Sequence, residues 1–104
     1  MENYRIKISD LAQQDIRNTA IYIRDELLEP EFAENVTEAI LQGIFTLEVM
    51  PARIPLVRDE RLANMQIRGF PIKNHIAFFR IDEDEKMVEV VRVLYSRRDW
   101  QAIL

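Results

Sequence analysis

The sequence predicts an α+β fold, in which an N-terminal strand is followed by an antiparallel helical hairpin and then by a three-stranded antiparallel meander, with the helices covering one face of the sheet. Three observations predict this fold. Apolar residues recur at helical spacing in two consecutive segments of the first half. β-Branched and aromatic residues dominate three segments after residue 64. The length of 104 residues suits one domain, 1–104, with a single modest core.

The first half is expected to form a strand and two helices. Tyr4–Ile8 alternates apolar and basic residues, as a half-buried strand does. A first helix is predicted to run from the capping residue Ser9 to about Leu28. Pro30 ends it and opens a second helix that stops before Pro51. Small residues in the second helix are expected to let the two helices approach closely, namely Ala39 and Gly43.

The second half is expected to form the meander. The three strands are predicted at Met65–Phe70, Ile72–Ile81 and Met87–Tyr95. The tight break between the first two is placed at Gly69–Pro71, and the polar run Asp82–Glu85 is predicted to be the turn of the second hairpin. The preceding segment, 52–64, has no period and is expected to be a loop. With one helical layer available, the other sheet face is predicted to be open, and function is expected there.

Composition excludes several kinds of site. The chain has no cysteine, so it cannot form a disulfide, a thiolate nucleophile or a cysteine metal site. His75 is its one histidine, which excludes a histidine-rich metal site. A site built from carboxylates alone stays open, but the chain has no calcium-loop spacing, and we expect neither a metal nor a cofactor. No apolar run reaches membrane-spanning length and the N-terminus has no signal-peptide pattern, so a cytoplasmic protein without membrane contact is expected.

The charges are distributed unevenly along the chain. The net charge is -4. The first 50 residues contain 4 Lys and Arg against 10 Asp and Glu, whereas the remainder contains 10 against 8. The sequence thus combines an acidic helical half with a basic sheet half. Such a distribution can orient a protein on an anionic target even when its sum is negative.

The most informative segment is Val88–Trp100, a β-rich run that ends in an aromatic hydroxyl and two adjacent arginines. Guanidinium groups at a strand end are suited to hold a phosphate backbone or an acidic partner. An ordinary alternative is that Arg97 and Arg98 are solvated, with one of them paired to Asp99, while Trp100 folds back into the core.

The stretch Arg92–Asp99 resembles the C-terminal strand of many ParE-like members of the RelE/ParE toxin superfamily, which are also called plasmid stabilisation proteins. Tyr95 stands where a histidine is frequent in that family. The resemblance extends over nearly the whole chain. It is carried further by four segments in the family's order and spacing, namely Tyr4–Ser9, Leu47–Pro51, Ile67–Ile72 and Asn74–Ile81.

The resemblance implies the toxin of a bacterial type II toxin–antitoxin system that arrests growth and is neutralised by a small cognate antitoxin. ParE-like members inhibit DNA gyrase without catalytic residues, and they meet operator DNA only through the antitoxin. A ParE-like toxin is the favoured interpretation, because the acidic sum and scarce lysines weaken affinity for ribosomal RNA. The residues expected to bind the target are Arg68, Arg92, Arg97, Arg98 and Trp100.

Two alternatives remain open at this stage. A RelE-like toxin would be an enzyme that cleaves mRNA on the ribosome without metal, with Tyr95, Arg97 and His75 as catalytic residues. Against this, His75 is more readily interpreted as a hydrogen-bonded strand histidine and Tyr95 as an aromatic cap of the sheet edge. Tyr95 and Arg92 could reach one side only if the last strand bulges near its end. The second alternative is a non-toxic or decayed interaction module.

Overall fold

The computed structural model describes residues 3–104 and confirms the predicted fold class. Its sheet has four strands in the order β1-β4-β3-β2, with β1 parallel to β4 and the other pairs antiparallel. The strands are β1 (Arg5–Ile8), β2 (Arg68–Ile72), β3 (His75–Asp82) and β4 (Met87–Tyr95). The helices are α1 (Asp10–Ile21), α2 (Pro30–Phe45), α3 (Glu60–Asn64) and α4 (Trp100–Ile103).

The helical hairpin begins and ends largely where its sequence signals lie. Ser9 caps α1, since its Oγ accepts from the Ala12 N–H at 3.0 Å, and Pro30 opens α2 as predicted. The first helix does not run regularly to Leu28. The α-helix ends at Ile21 and continues as one π-helical turn over Tyr22–Glu26. Such turns widen the helix locally and are frequent at functional sites.

Gly43 serves a different contact from the predicted one. A Cβ added at Gly43 would lie 2.7 Å from Cδ1 of Ile72, at the end of β2. The absent side chain therefore lets α2 approach the sheet, and the expectation that Gly43 serves the approach of the two helices is wrong. Sequence spacing places a small residue on a helix face but does not identify the element that it faces.

The main core lies between the helical hairpin and the sheet. Its largest fully buried members include Ile40 and Ile44 of α2, Leu47 beyond it, and Phe79 of β3. Ala77 and Phe79 share this face of β3, as the predicted alternation requires. Among residues 3–104, no helix is long and apolar enough to span a bilayer.

The opposite sheet face is covered, not open. A second, smaller core forms there from Leu62, Ile67, Phe78 and Leu94, with Trp100 packed against it. The segment expected to be a loop supplies part of this cover, because it contains the helix α3, capped by the Asp59 carboxylate on the Leu62 N–H at 3.0 Å. The prediction of an open functional face is therefore wrong, since short helices of four or five residues leave no periodic signal.

The meander differs from its prediction at one turn. Gly69–Pro71 lies inside β2, and the turn is Lys73–Asn74, where both residues have positive φ (48° and 64°). This pair of angles is that of the two-residue turn best suited to strand twist. Pro71 is tolerated because β2 is an edge strand. The predicted turn after β3 is confirmed, since Asp82 pairs with Met87.

A β-bulge interrupts the pairing of β3 with β4. Phe79 pairs with Val90 and Phe78 with Arg92, so Val91 is the extra residue. As a result Val90 and Val93 both face the main core, while Val91 packs on the second core. The bulge precedes both Arg92 and Tyr95, so it does not bring these two side chains to one face.

Candidate functional site

The candidate site lies at the end of the sheet where β3 begins and β4 ends. A cavity of about 670 Å³ opens there between the sheet end and the helical hairpin. The hairpin contributes apolar side chains near its turn and polar ones from α1, whereas the sheet end contributes polar and basic side chains together with Val93 and Leu94. The residues that define its walls include Tyr22, Leu27 and Phe32 on the hairpin side, and Lys73, His75, Tyr95 and Arg98 on the sheet side.

His75 and Tyr95 are directly paired across β3 and β4, and their rings meet edge to face with centroids 5.7 Å apart. The His75 side chain is buried, and the Tyr95 side chain is 41% exposed. Of the two, only the tyrosine ring therefore offers a substantial surface to a partner. The sequence-based interpretation of Tyr95 was an aromatic cap of the sheet edge, and Tyr95 lies at the end of β4, beyond the last residue that pairs with β1.

Both ring nitrogens of His75 already have protein neighbours. Nδ1 lies 2.9 Å from the carbonyl oxygen of Lys73, and Nε2 lies 3.5 Å from Oγ1 of Thr19. A carbonyl oxygen only accepts, so Nδ1 carries the hydrogen of this bond, and in the neutral ring Nε2 accepts from the Thr19 hydroxyl. The interpretation of His75 as a hydrogen-bonded strand histidine is confirmed. This arrangement locks the Lys73–Asn74 turn to the sheet.

Arg97 and Arg98 lie in the turn that follows β4, and both are exposed. The backbone of this turn is fixed, because the Arg98 N–H donates to the Tyr95 carbonyl at 3.0 Å and the Ser96 N–H donates to that of Asn74 at 2.9 Å. Within residues 3–104 neither guanidinium forms a hydrogen bond or an ion pair, so both are solvated as the ordinary alternative proposed, but its pairing with Asp99 is not observed. A rigid backbone thus presents two uncommitted cations, of which Arg98 borders the cavity.

Arg92 lies outside the cavity and is held by α1. Its Nε and Nη2 donate to the two carboxylate oxygens of Asp15, at 2.8 and 2.9 Å. The side chains are 20% and 10% exposed. The hydrogen bond with Asp15 raises the pKa of Arg92, and the charge attraction adds to this, while burial opposes it. Arg92 was predicted to bind a target, but its Nε and Nη2 donors are used to tie β4 to the helical layer.

Arg68 and Trp100 are also engaged inside the protein. Arg68 donates to the carbonyl oxygen of Ile54 at 2.6 Å, which fixes the segment before α3. Trp100 packs on Phe78 with ring centroids 5.2 Å apart. This agrees with the alternative in which Trp100 folds back into the core. The structure therefore brings Tyr95, Arg97, Arg98 and His75 to one end of the sheet and places the other predicted residues elsewhere.

The hairpin side of the cavity was missed by sequence reasoning. Tyr22, Leu27 and Phe32 come from the π-helical turn and the start of α2, and they are 56%, 48% and 53% exposed. Leu27 and Phe32 continue the helical spacing of the apolar residues in the two helical segments, so the sequence predicts that both face the core. Their position in the sequence could have distinguished Leu27 and Phe32 from core residues. Both flank the break at Pro30, where the helical hairpin extends beyond the end of the sheet.

The described residues contain no group of three or more histidine, aspartate or glutamate side chains placed to hold a metal ion. A second groove of about 660 Å³ lies between α1 and α2. It contains none of the predicted site residues, and its lining is mainly apolar near Leu41 and Phe45.

Comparison with known proteins places this geometry in a family. Residues 6–100 match the family model described as the ParE toxin of the type II toxin–antitoxin system parDE. A search of curated proteins finds no relative. Two solved structures share the fold. The first is the chromosomal ParDE toxin–antitoxin system from P. aeruginosa, with a TM-score of 0.73 and 17% identity over 88% of this chain and 95% of that chain.

The second is the toxin–antitoxin complex RelBE2 from Mycobacterium tuberculosis. Its TM-score is 0.66, with 20% identity over 91% of this chain and 93% of that chain. At such identities the two structures establish the shared fold, whereas the match to residues 6–100 spans nearly the whole sequence.

Proposed function

Since this chain belongs to the ParE toxin family of type II toxin–antitoxin systems, we propose that it arrests bacterial growth by inhibiting DNA gyrase and is neutralised by a cognate antitoxin. The observation that carries the proposal is the pair Arg97 and Arg98. Both are exposed on a hydrogen-bonded turn, and neither has a partner within residues 3–104. Two such cations can bind the phosphate backbone of DNA that is bound to gyrase, or an acidic surface of a protein.

The surroundings of the arginines support a contact inhibitor over an enzyme. General acid–base catalysis requires a group that is free to take or give a proton within reach of the substrate. His75 is buried and both of its ring nitrogens are engaged, by Lys73 and Thr19. Inhibition by contact needs only a surface of fixed shape and charge, which Tyr95, Arg97 and Arg98 supply.

The other residues predicted to bind the target receive a supporting role in this proposal. Arg92 fixes β4 to α1, and Arg68 fixes the segment before α3. Trp100 anchors the chain that follows the arginine turn. Replacing any of these three residues would weaken binding of the target indirectly, because it would displace Arg97 and Arg98.

A cognate antitoxin is proposed to cover the helical hairpin and the adjoining sheet edge with an extended or helical segment. The apolar wall of the 670 Å³ cavity supports this, because exposed apolar patches commonly mark protein interaction sites. The two solved relatives are themselves described as toxin–antitoxin assemblies. Operator DNA would then be contacted only through the antitoxin, and the toxin would act in the cytoplasm.

The proposal is tested by inducing the gene in a bacterial host with and without the small reading frame that adjoins it. We expect growth arrest with filamentation and a DNA-damage response when the toxin is induced alone, and normal growth when both are induced. Normal growth at verified soluble expression of the toxin alone would contradict the proposal and favour a non-toxic interaction module.

A RelE-like ribonuclease is the second candidate, because Tyr95 is 41% exposed and lines the cavity together with Arg98, a cation that could stabilise phosphate charge. In that case Tyr95, Arg97 and His75 would be the catalytic residues. This candidate predicts halted translation and mRNA cut at ribosomal A sites, without a DNA-damage response.

A further inference from the structure

The turn between β2 and β3 begins with a lysine in an unfavourable conformation. Lys73 has a φ of 48°. Asparagine, aspartate or glycine is the usual residue at this place in a two-residue turn, because a longer side chain in the left-handed region crowds the backbone. The Lys73 side chain is exposed and forms neither a hydrogen bond nor an ion pair within residues 3–104. The fold therefore bears the strain of Lys73 without gaining a contact from its side chain.

Lys86, in the turn between β3 and β4, shows the contrasting case. It also has a positive φ, of 50°. Its ammonium group lies 3.1 Å from the Glu83 carboxylate and 5.4 Å from the centre of the Tyr4 ring, so the side chain stabilises its own turn. Lys73 has no such compensation, and backbone strain without compensation tends to persist where the side chain serves a function.

The β2–β3 turn is fastened to the turn that carries Arg98. The carbonyl oxygen of Lys73 accepts from Nδ1 of His75 at 2.9 Å, and that of Asn74 accepts from the Ser96 N–H at 2.9 Å. Lys73 and Arg98 both line the 670 Å³ cavity. The backbones that carry these two cations are thus fixed relative to each other before any partner binds, which lowers the entropy cost of binding.

The charges that line the cavity favour an anionic occupant. Asp15 is the one carboxylate among the described lining residues, and both of its oxygens accept from Arg92. Lys73 and Arg98 are lining cations without a partner in residues 3–104. The exposed carboxylates of the hairpin turn do not belong to the lining, namely Glu26, Glu29 and Glu31. A carboxylate or phosphate group in the cavity would therefore meet two uncommitted positive charges.

The apolar wall of the same cavity favours a polypeptide over a nucleic-acid backbone. Leu27 and Phe32 line the cavity and are 48% and 53% exposed. A phosphate backbone satisfies the cations but leaves this wall in contact with water, whereas a polypeptide can bring an apolar anchor beside a carboxylate. The net charge of -4 also opposes binding to DNA as such.

On the basis of the proposed function, we infer that the cavity binds an acidic polypeptide segment of gyrase. Lys73 and Arg98 bind its carboxylate, and Leu27 and Phe32 pack against a neighbouring apolar side chain. The target is then contacted through protein, and Lys73 joins the arginines as a contact residue. Because the antitoxin is proposed to cover the same apolar wall, the antitoxin and gyrase would exclude each other.

The experiment measures binding of the labelled toxin to purified DNA gyrase by fluorescence anisotropy, without DNA and with relaxed plasmid. The parent should bind gyrase without DNA. The dissociation constant should rise about fivefold in Lys73→Gly and about tenfold in Leu27→Ala. Lys73→Gly should also raise the melting temperature by about 3 °C, because the strained side chain is removed. Weaker binding by a more stable variant cannot result from loss of the fold.

Lys86→Gly is the matched control, since it removes a lysine with positive φ at the opposite end of β3. Its dissociation constant for gyrase should stay within about twofold of the parent's. Its melting temperature should rise less than that of Lys73→Gly, because the contacts with Glu83 and the Tyr4 ring are lost.

Two results would overturn the inference and leave the proposed function intact. The first is a parent that inhibits supercoiling but binds gyrase only when DNA is present, which would assign the cavity to nucleic acid. The second is a Lys73→Gly or Leu27→Ala variant that binds gyrase as tightly as the parent does. A folded parent that neither binds gyrase nor inhibits supercoiling would instead contradict the proposed function, and the inference with it.

Discussion

Arg92 of β4 and Asp15 of α1 form a two-point ion pair at the edge of the sheet, just beyond the last residue of β1. The same carboxylate also accepts the Val93 N–H at 2.9 Å. Asp15 therefore takes over the hydrogen bonding of β4 where its neighbouring strand stops. Tyr95 lies two residues beyond Val93 on the same strand, so the pair of Asp15 and Arg92 sets the position of the candidate site.

Replacing Asp15 with asparagine should destabilise the fold. Asparagine keeps the shape but leaves the largely buried Arg92 guanidinium without its anion, and we expect a loss of about 2 kcal/mol in the free energy of unfolding. Urea denaturation measures this loss. Glu89→Gln is the control, since the Lys7–Glu89 pair is exposed and longer, at 3.9 Å, and its loss should change stability by less than about 0.5 kcal/mol.

The contribution of Arg92 should not vary with pH near neutrality. Its pKa is raised in the folded protein, so the associated stability is present below the unfolded pKa and is lost only in strongly alkaline solution. The difference between the parent and Asp15→Asn should thus be equal at pH 6 and pH 9. A difference that shrinks between these values would mean that another titrating group controls the pair.

Gly43→Ala should destabilise the fold although alanine is the better helix former. The propensity gain of about 1 kcal/mol is opposed by overpacking of about 1–3 kcal/mol, because the new Cβ would contact three atoms of Ile72 within 3.3 Å. We expect a net loss of about 1 kcal/mol by denaturation. Ile72→Val removes the nearest atom, Cδ1, and should recover part of the loss in the double variant. A Gly43→Ala variant more stable than the parent would show that the Ile72 side chain can move aside at little cost in free energy.

Trp100 should prove to be a packing residue. Trp100→Ala removes its contact with Phe78 and uncovers the second core, and we expect a loss of about 2 kcal/mol because the ring is only partly buried. Trp100→Phe keeps an aromatic ring there and should retain both stability and toxicity. If a stably folded Trp100→Phe were non-toxic, the indole would have a direct contact with the target.

Tyr95→Phe separates contact from proton transfer, since it removes only the hydroxyl. A gyrase inhibitor should retain most of its growth inhibition, because the exposed ring remains. A ribonuclease that uses this hydroxyl should lose about 10²- to 10⁴-fold in cleavage rate. The growth assay is read together with mRNA integrity in a translating extract. Complete loss of toxicity in a folded variant, with the parent cutting mRNA, would establish the enzyme.

Several elements could be predicted because their signals are local. The alternation in Tyr4–Ile8, the break at Pro30 and the polar turn after Asp82 each act within a few residues, and each has its expected effect. The position of Tyr95 and the two arginines at a strand end follows in the same way. Local chemistry thus fixes the strand that carries the candidate site.

Other features depend on contacts that no local pattern encodes. Asp15 and Arg92 are 77 positions apart, so nothing in either neighbourhood reveals that the arginine is already bound. The bulge at Val91 changes which side chains face the main core, yet Val90 to Val93 reads as an uninterrupted strand. The helices α3 and α4 are shorter than a hydrophobic period can reveal, and with them the second core was missed.

The central claim is tested most directly by supercoiling of relaxed plasmid with purified DNA gyrase and purified toxin. The parent should inhibit supercoiling, and Arg97→Ala/Arg98→Ala should not, while keeping the parent's melting temperature because both side chains are exposed. Arg17→Ala/Arg80→Ala removes the same charge from exposed positions elsewhere and should inhibit like the parent. Undisturbed supercoiling with the folded parent, or full inhibition by the Arg97/Arg98 variant, would contradict this account.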